Sequence, residues 1–158
     1  MFEKILVPLD GSKLAECVFP YIEKLSKDCQ VREVFLFRVC EKPEVDADYP
    51  AKMPKSWEEH VEELNTVSGR QCSLYLDDAE KRLKKKGINN IKLETRLGDP
   101  ATEIVNYTLK EDIALIIMAS HGRSGPSRWA FGSVADKVFR STCVPVLMVR
   151  GPGCTVGI

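Results

Sequence analysis

The sequence predicts an α/β protein: a doubly wound, five-stranded parallel sheet with helices on both faces. Three observations carry this reading. Strand-like apolar runs alternate with segments whose apolar residues recur at three- and four-residue steps, in the order β-α-β-α-β-α-β-α-β. The run Ile113 to Met118 is apolar at every position, too short to span a membrane and dense enough for burial on both faces, as a central parallel strand requires. A chain of 158 residues also suits one domain with a substantial core. Residues 1–150 are read as that domain, and 151–158 as a flexible, glycine-rich tail.

The first strand is Lys4 to Leu9, followed at once by Asp10-Gly11-Ser12. Ser12 can cap a helix whose stripe is Leu14, Val18, Ile22 and Leu25, with Pro20 expected to kink it. Val31 to Val39 reads as the second strand. Glu41 to Lys55 holds Pro43, Pro50 and Pro54 and little periodicity, so it is a loop, either lying over a ligand site or a peripheral insertion. Ser56-Trp-Glu-Glu59 is a capping box and opens a long helix with apolar steps to Leu83, ended by lysines and Gly87. Ile91 to Leu97 alternates apolar with charged residues, as a strand with one less-buried face does. Asp99 caps the next helix, with Pro100 at its first position. The central strand follows, then a loop rich in glycine and serine, a helix from Ser133 to about Ser141, and a last strand, Val144 to Val149.

Composition excludes several function classes. Lys plus Arg and Asp plus Glu both number 23, so no global field argues for nucleic acid or an anionic membrane. No apolar stretch approaches the ~18 residues of a membrane span, and the first residues lack the basic and apolar segments of a secretory leader, which argues for a cytoplasmic protein. The six cysteines contain no C-x-x-C pair and are not grouped with His60 or His121, so zinc and redox motifs are unsupported and buried, reduced thiols are expected. There is no G-x-x-x-x-G-K-[ST], and no G-x-G-x-x-G follows the first strand, which sets aside a P-loop and a dinucleotide site.

What remains is the junction between the apolar strand and the helix at Ser133. Glycines let a backbone approach a ligand closely, and the unpaired N–H groups of a helix's first turn point at an anion. The pattern Ala119-Ser-His-Gly122, nine residues, then Gly132-Ser133 resembles the ATP-binding signature of the universal stress protein family. There a glycine, two residues, a second glycine, nine residues and a third glycine precede a serine or threonine. The resemblance covers nearly the whole chain, including Val7-Pro-Leu-Asp-Gly-Ser12, the Gly98-Asp99-Pro100 junction and Val144-Pro-Val-Leu-Met-Val149. Ala119 stands where the motif has its first glycine.

The resemblance implies a Rossmann-like sheet of strand order 3-2-1-4-5 and a site for ATP (or ADP or AMP), with Mg²⁺ or Mn²⁺ held mainly through the phosphates. It implies that Pro8, Leu9 and Asp10 line the adenosine, with Asp10 near the ribose or a phosphate-bound metal; a cap of the first helix shared with Ser12 is the other reading of Asp10. Val39 matches the family's adenine-contacting position, and a core valine would look the same. Met118 and Ala119 would lie along the nucleotide. Gly122, Arg123, Gly132, Ser133 and Val134 would surround the phosphates, although Arg123 and Arg128 equally suit solvated loop charges. The family also implies a homodimer built through the edge strand Val144–Val149, a dense apolar edge whose one visible protection is Pro145.

The function implied is a nucleotide-binding stress-response regulator, a dimeric nucleotide-dependent switch acting on protein partners that the sequence does not name. Two alternatives stand beside it: an interaction module of the same fold without nucleotide, motivated by Ala119, and a weak ATP hydrolase using His121. No Ser/His/Asp or Cys/His constellation is visible, so catalysis would amount at most to the slow ATP hydrolysis or autophosphorylation that the resemblance allows. His121 is read first as fixing the loop.

Overall fold

The computed structural model describes residues 2–40, 56–121 and 131–151. The Glu41 to Lys55 loop, residues 122–130 of the glycine loop and the tail beyond Gly151 lie outside them. The strands are β1 (Lys4–Pro8), β2 (Glu33–Cys40), β3 (Ile91–Leu97), β4 (Leu115–Ala119) and β5 (Val146–Val149). The helices are α1 (Phe19–Asp28), α2 (Trp57–Lys84), α3 (Pro100–Lys110) and α4 (Ser133–Ser141). All pairings are parallel and the strand order is β3-β2-β1-β4-β5, the five-stranded doubly wound sheet expected.

Strict alternation along the central strands divides the core into two layers. Ile5 and Val7 of β1, Val34 and Leu36 of β2, and Leu115 and Ile117 of β4 pack with Ile22 of α1 and with Leu76, Ala79 and Leu83 of α2. Their neighbours Leu6, Phe35, Phe37, Ile116 and Met118 pack with Ala101, Ile104 and Tyr107 of α3 and with Val138 of α4. Burial on both faces is why these strands read as near-continuous apolar runs. Among the described residues no helix is long and apolar enough to cross a membrane.

Local signals place the helix ends. Ser56 Oγ accepts from the Glu59 amide at 3.3 Å while Glu59 Oε2 accepts from the Ser56 amide at 3.1 Å, a complete capping box for α2. Asp99 Oδ1 accepts from the Thr102 amide at 3.0 Å, with Pro100 in the first turn of α3.

Two expectations need correction. The segment after β1 is not one kinked helix: a 3₁₀ turn at Ala15–Val18 precedes α1, and Pro20 falls in the first turn of α1. A proline lacks only an N–H that is unpaired there anyway, so it starts the helix instead of bending it. The cysteines are also not all thiols. Cys40, ending β2, and Cys72, on the buried face of α2, form a disulfide with their Cα atoms 6.4 Å apart, while Cys17, Cys29 and Cys143 are thiols and Cys154 lies outside the described residues. A sequence separation of 32 residues gave no sign of the pairing, because only the packing of α2 over β2 brings the two together.

Candidate functional site

The C-terminal ends of β1, β2 and β4 and the start of α4 enclose a cavity of about 280 Å³. It lies where the chain order reverses across the sheet, between β1 and β4, the switch point at which open α/β sheets bind ligands. Pro8, Leu9 and Asp10 leave β1 along one wall; Val39 comes from β2; Met118, Ala119 and His121 come from β4 and its exit. Gly132, Ser133 and Val134 form the opposite wall at the head of α4. Every site residue named from the sequence that is among the described residues lines this cavity, and Gly122 and Arg123 lie outside those residues. Motif reasoning missed the apolar floor made by Phe37 of β2 and by Pro100 and Ile104 of α3. The signal for the first was the position of Phe37 two residues before Val39, on the same side of the strand.

The β1 wall is a turn stabilised by its own side chains. Asp10 Oδ1 accepts from the Ser12 amide at 2.8 Å, and Ser12 Oγ accepts from the Ala15 amide at 3.1 Å. Between them Gly11 has φ +88°, a left-handed conformation that a glycine adopts without strain. Asp10 therefore fixes the turn that leads into the 3₁₀ segment and lines the cavity at the same time.

The β4 wall continues as Ser120 and His121, both buried at 0% and 6% exposure. The Ser120 amide donates to the Val149 carbonyl at 2.8 Å, extending the β4–β5 ladder past the last strand residue. Ser120 Oγ lies 3.1 Å from His121 Nδ1. The amide bond ties the strand's exit to β5, and the side-chain pair sets the His121 ring against Ser120. Ala119 is buried and belongs to the apolar cluster on the α1 side, so its methyl is accommodated by core packing while the residue still borders the cavity.

The head of α4 supplies anion-binding character. Gly132 is its N-cap in extended conformation, and among the described residues no side chain caps the helix. Ser133, Val134 and Ala135, the first turn, line the cavity, so the positive end of the helix dipole faces it. Beyond the rim, Asp99 at the head of α3 pairs with Lys137 of α4 at 2.8 Å, tying the two helices together. The hydrogen bond from Lys137, then those from Thr102, holds the Asp99 carboxyl down at about 2.

The cavity thus combines an apolar floor with a carboxylate on one side and a helix head on the other, a shape suited to an aromatic base, a polyol and an anionic group. The universal stress protein family model matches residues 1–150. The chain is 30% identical over 157 residues to universal stress protein MJ0577 of Methanocaldococcus jannaschii, covering 95% of this chain and 96% of that one. It is 28% identical over 150 residues to universal stress protein YxiE of Bacillus subtilis, covering 95% of this chain and all of that one. The solved structure of MJ0577 superposes with a TM-score of 0.79 at 29% identity, over 95% of this chain and 96% of that one. Two more distant structures share the fold, a universal stress protein in complex with cAMP (TM-score 0.65, 17% identity, 95% of this chain and 98% of that one) and one from Archaeoglobus fulgidus in complex with dAMP (0.59, 19%, 94% and 98%). From its sequence, its sheet order and these likenesses, the chain belongs to the universal stress protein family.

Proposed function

We propose that the protein is a nucleotide-binding regulator that takes ATP, ADP or AMP in the switch-point cavity and works as a homodimer. The observation that carries this is the convergence on one cavity of the apolar floor, Asp10 and the uncapped first turn of α4. Adenine fits the floor between Val39, Phe37 and Met118, the ribose hydroxyls fall to Asp10, and the phosphates lie against the amides of Ser133 and Val134. That related structures hold cAMP and dAMP supports the same ligand class. A Mg²⁺ or Mn²⁺ ion would be held mainly through the phosphates, as the family resemblance implies. β5 is the sheet edge next to β4, and its pairing with the same strand of a second copy would cover it.

Calorimetric titration of Mg²⁺-ATP into nucleotide-stripped protein tests the site, with Ser133→Glu as the control. Serine and glutamate are both accepted in a helix's first turn, so the substitution spares the fold and sets a negative charge against the phosphates. Micromolar binding, about −8 kcal/mol, weakened at least tenfold by Ser133→Glu is the expected result. A folded protein that takes up no nucleotide at millimolar concentration would instead be an interaction module that keeps the architecture alone.

A further inference from the structure

Directly behind the cavity, on the other face of β2, lies a charged and aromatic stack that neither the motif nor the cavity lining includes. Arg38 sits between Phe37 and Val39, which border the cavity, so its side chain leaves the opposite face of the sheet, toward α2. There its guanidinium carbon lies 4.8 Å from the centre of the Tyr75 ring, in a cation–π contact. The guanidinium also lies against the β1 turn. A Cβ placed on Gly11 would fall 2.7 Å from an Arg38 terminal nitrogen and 2.9 Å from Cζ, so the glycine backbone rests on the guanidinium with no room for a side chain. The Arg38 guanidinium is thus in contact with the Tyr75 ring and next to Gly11, and Gly11 joins Asp10 to the Ser12 amide that Asp10 accepts from.

We propose that Arg38 is a positioning residue for the nucleotide site: its guanidinium, laid on Tyr75, supports the Asp10–Gly11 turn and so holds the Asp10 carboxylate at the cavity wall. A turn through a left-handed glycine is among the least restrained backbone conformations, so the turn depends on what lies beneath it. A planar guanidinium can lie flat against a ring on one side and a peptide on the other, which an ammonium cannot do. Tyr75 belongs to α2 and packs against the core on that face, with the Glu16 carboxylate near its hydroxyl. Glu16 in turn takes two hydrogen bonds of 2.8 Å from Arg82 of α2. The platform is thereby anchored to the long helix.

The inference rests on the nucleotide reading of the cavity, and its test separates the two. Titrate wild type, Arg38→Met and Arg38→Lys with ATP and with 2′-deoxy-ATP, and record amide exchange of Ser12 by NMR. Asp10 held against the ribose should make the wild type prefer ATP about tenfold, the scale of one hydrogen bond to a charged group. Arg38→Met should bring the ratio near one, with little change in deoxynucleotide affinity, and Arg38→Lys should recover only part of it. The Ser12 amide should exchange at least tenfold faster in Arg38→Met. Tyr75→Leu, which keeps the arginine and removes its platform, should show the same pair of changes if Arg38→Met does not fold. A wild-type ratio together with wild-type Ser12 exchange overturns the proposal, as does a wild type indifferent to the 2′-hydroxyl. Were the wild type to bind neither nucleotide, the nucleotide reading falls by itself, and Ser12 exchange alone decides for or against Arg38.

Discussion

The Gly132 amide donates to the Ser120 carbonyl at 2.7 Å, so the last glycine of the loop is pinned to the exit of β4. Its N–H is therefore used within the protein, and the amides next along, those of Ser133 and Val134, are the ones left to face an anion. The same contact leaves little room for a side chain on Gly132. Its φ of −69° suits any residue, but a Cβ would lie 3.2 Å from the Ser120 carbonyl oxygen and 3.5 Å from the His121 Cα, both backbone atoms.

Gly132→Ala should therefore force α4 away from β4. We expect a loss of about 1–2 kcal/mol in urea unfolding and at least a tenfold loss of nucleotide affinity. Wild-type values for both would mean that the junction relaxes at no cost.

Assembly through β5 predicts a position-specific effect of proline. The carbonyls of Pro145 and Val149 accept from Ile116 and Ser120, so residues 145 and 149 face β4. Alternation then turns the N–H of Met148 to the open edge. Met148→Pro removes a donor that pairing with a second copy would use, and should convert dimer to monomer in analytical ultracentrifugation while leaving the circular dichroism spectrum native. A dimer that survives would place the interface elsewhere.

The Asp99–Lys137 link predicts a pH dependence at the acid end. The folded-state pKa of Asp99 is depressed from 3.8 to about 2, so the stability it contributes is present above the unfolded value and lost as pH falls through about 2. Asp99→Asn should lower the melting temperature at pH 6 and approach wild type near pH 2. A constant difference across that range would show that the cap and the ion pair do not depend on the charge.

Closing a loop between Cys40 and Cys72 should stabilise the fold. Alkylation in denaturant without reductant should label Cys17, Cys29, Cys143 and Cys154 and spare Cys40 and Cys72, and reduction should cost on the order of 2–4 kcal/mol. Immediate labelling of Cys40 and Cys72 would show them to be thiols.

Much of the site could be read from the chain because its walls are strand and helix ends with local markers. Pro8-Leu9-Asp10 follows an apolar run, and Gly132-Ser133 opens a helical stripe, so both could be assigned before any packing was known. Phe37 and Ile104 were missed because a floor is made by side chains from distant elements whose local pattern says only that they are buried. Arg38 was missed for a related reason. Within β2 it is one polar residue in an apolar strand, and its contacts with Gly11 and Tyr75 join positions far apart in sequence.

By itself the sequence determined the element types, the caps at Ser56 and Asp99 and the uninterrupted apolar run that marks β4 as a central strand, since these follow from backbone propensity and side-chain pattern over a few residues. The tertiary structure alone decided that Pro20 starts a helix after a 3₁₀ turn, that Cys40 meets Cys72, and that the Asp10–Gly11 turn rests on Arg38. Each depends on how two elements pack, and packing is set by the summed shape of the whole core, which no short window of sequence contains.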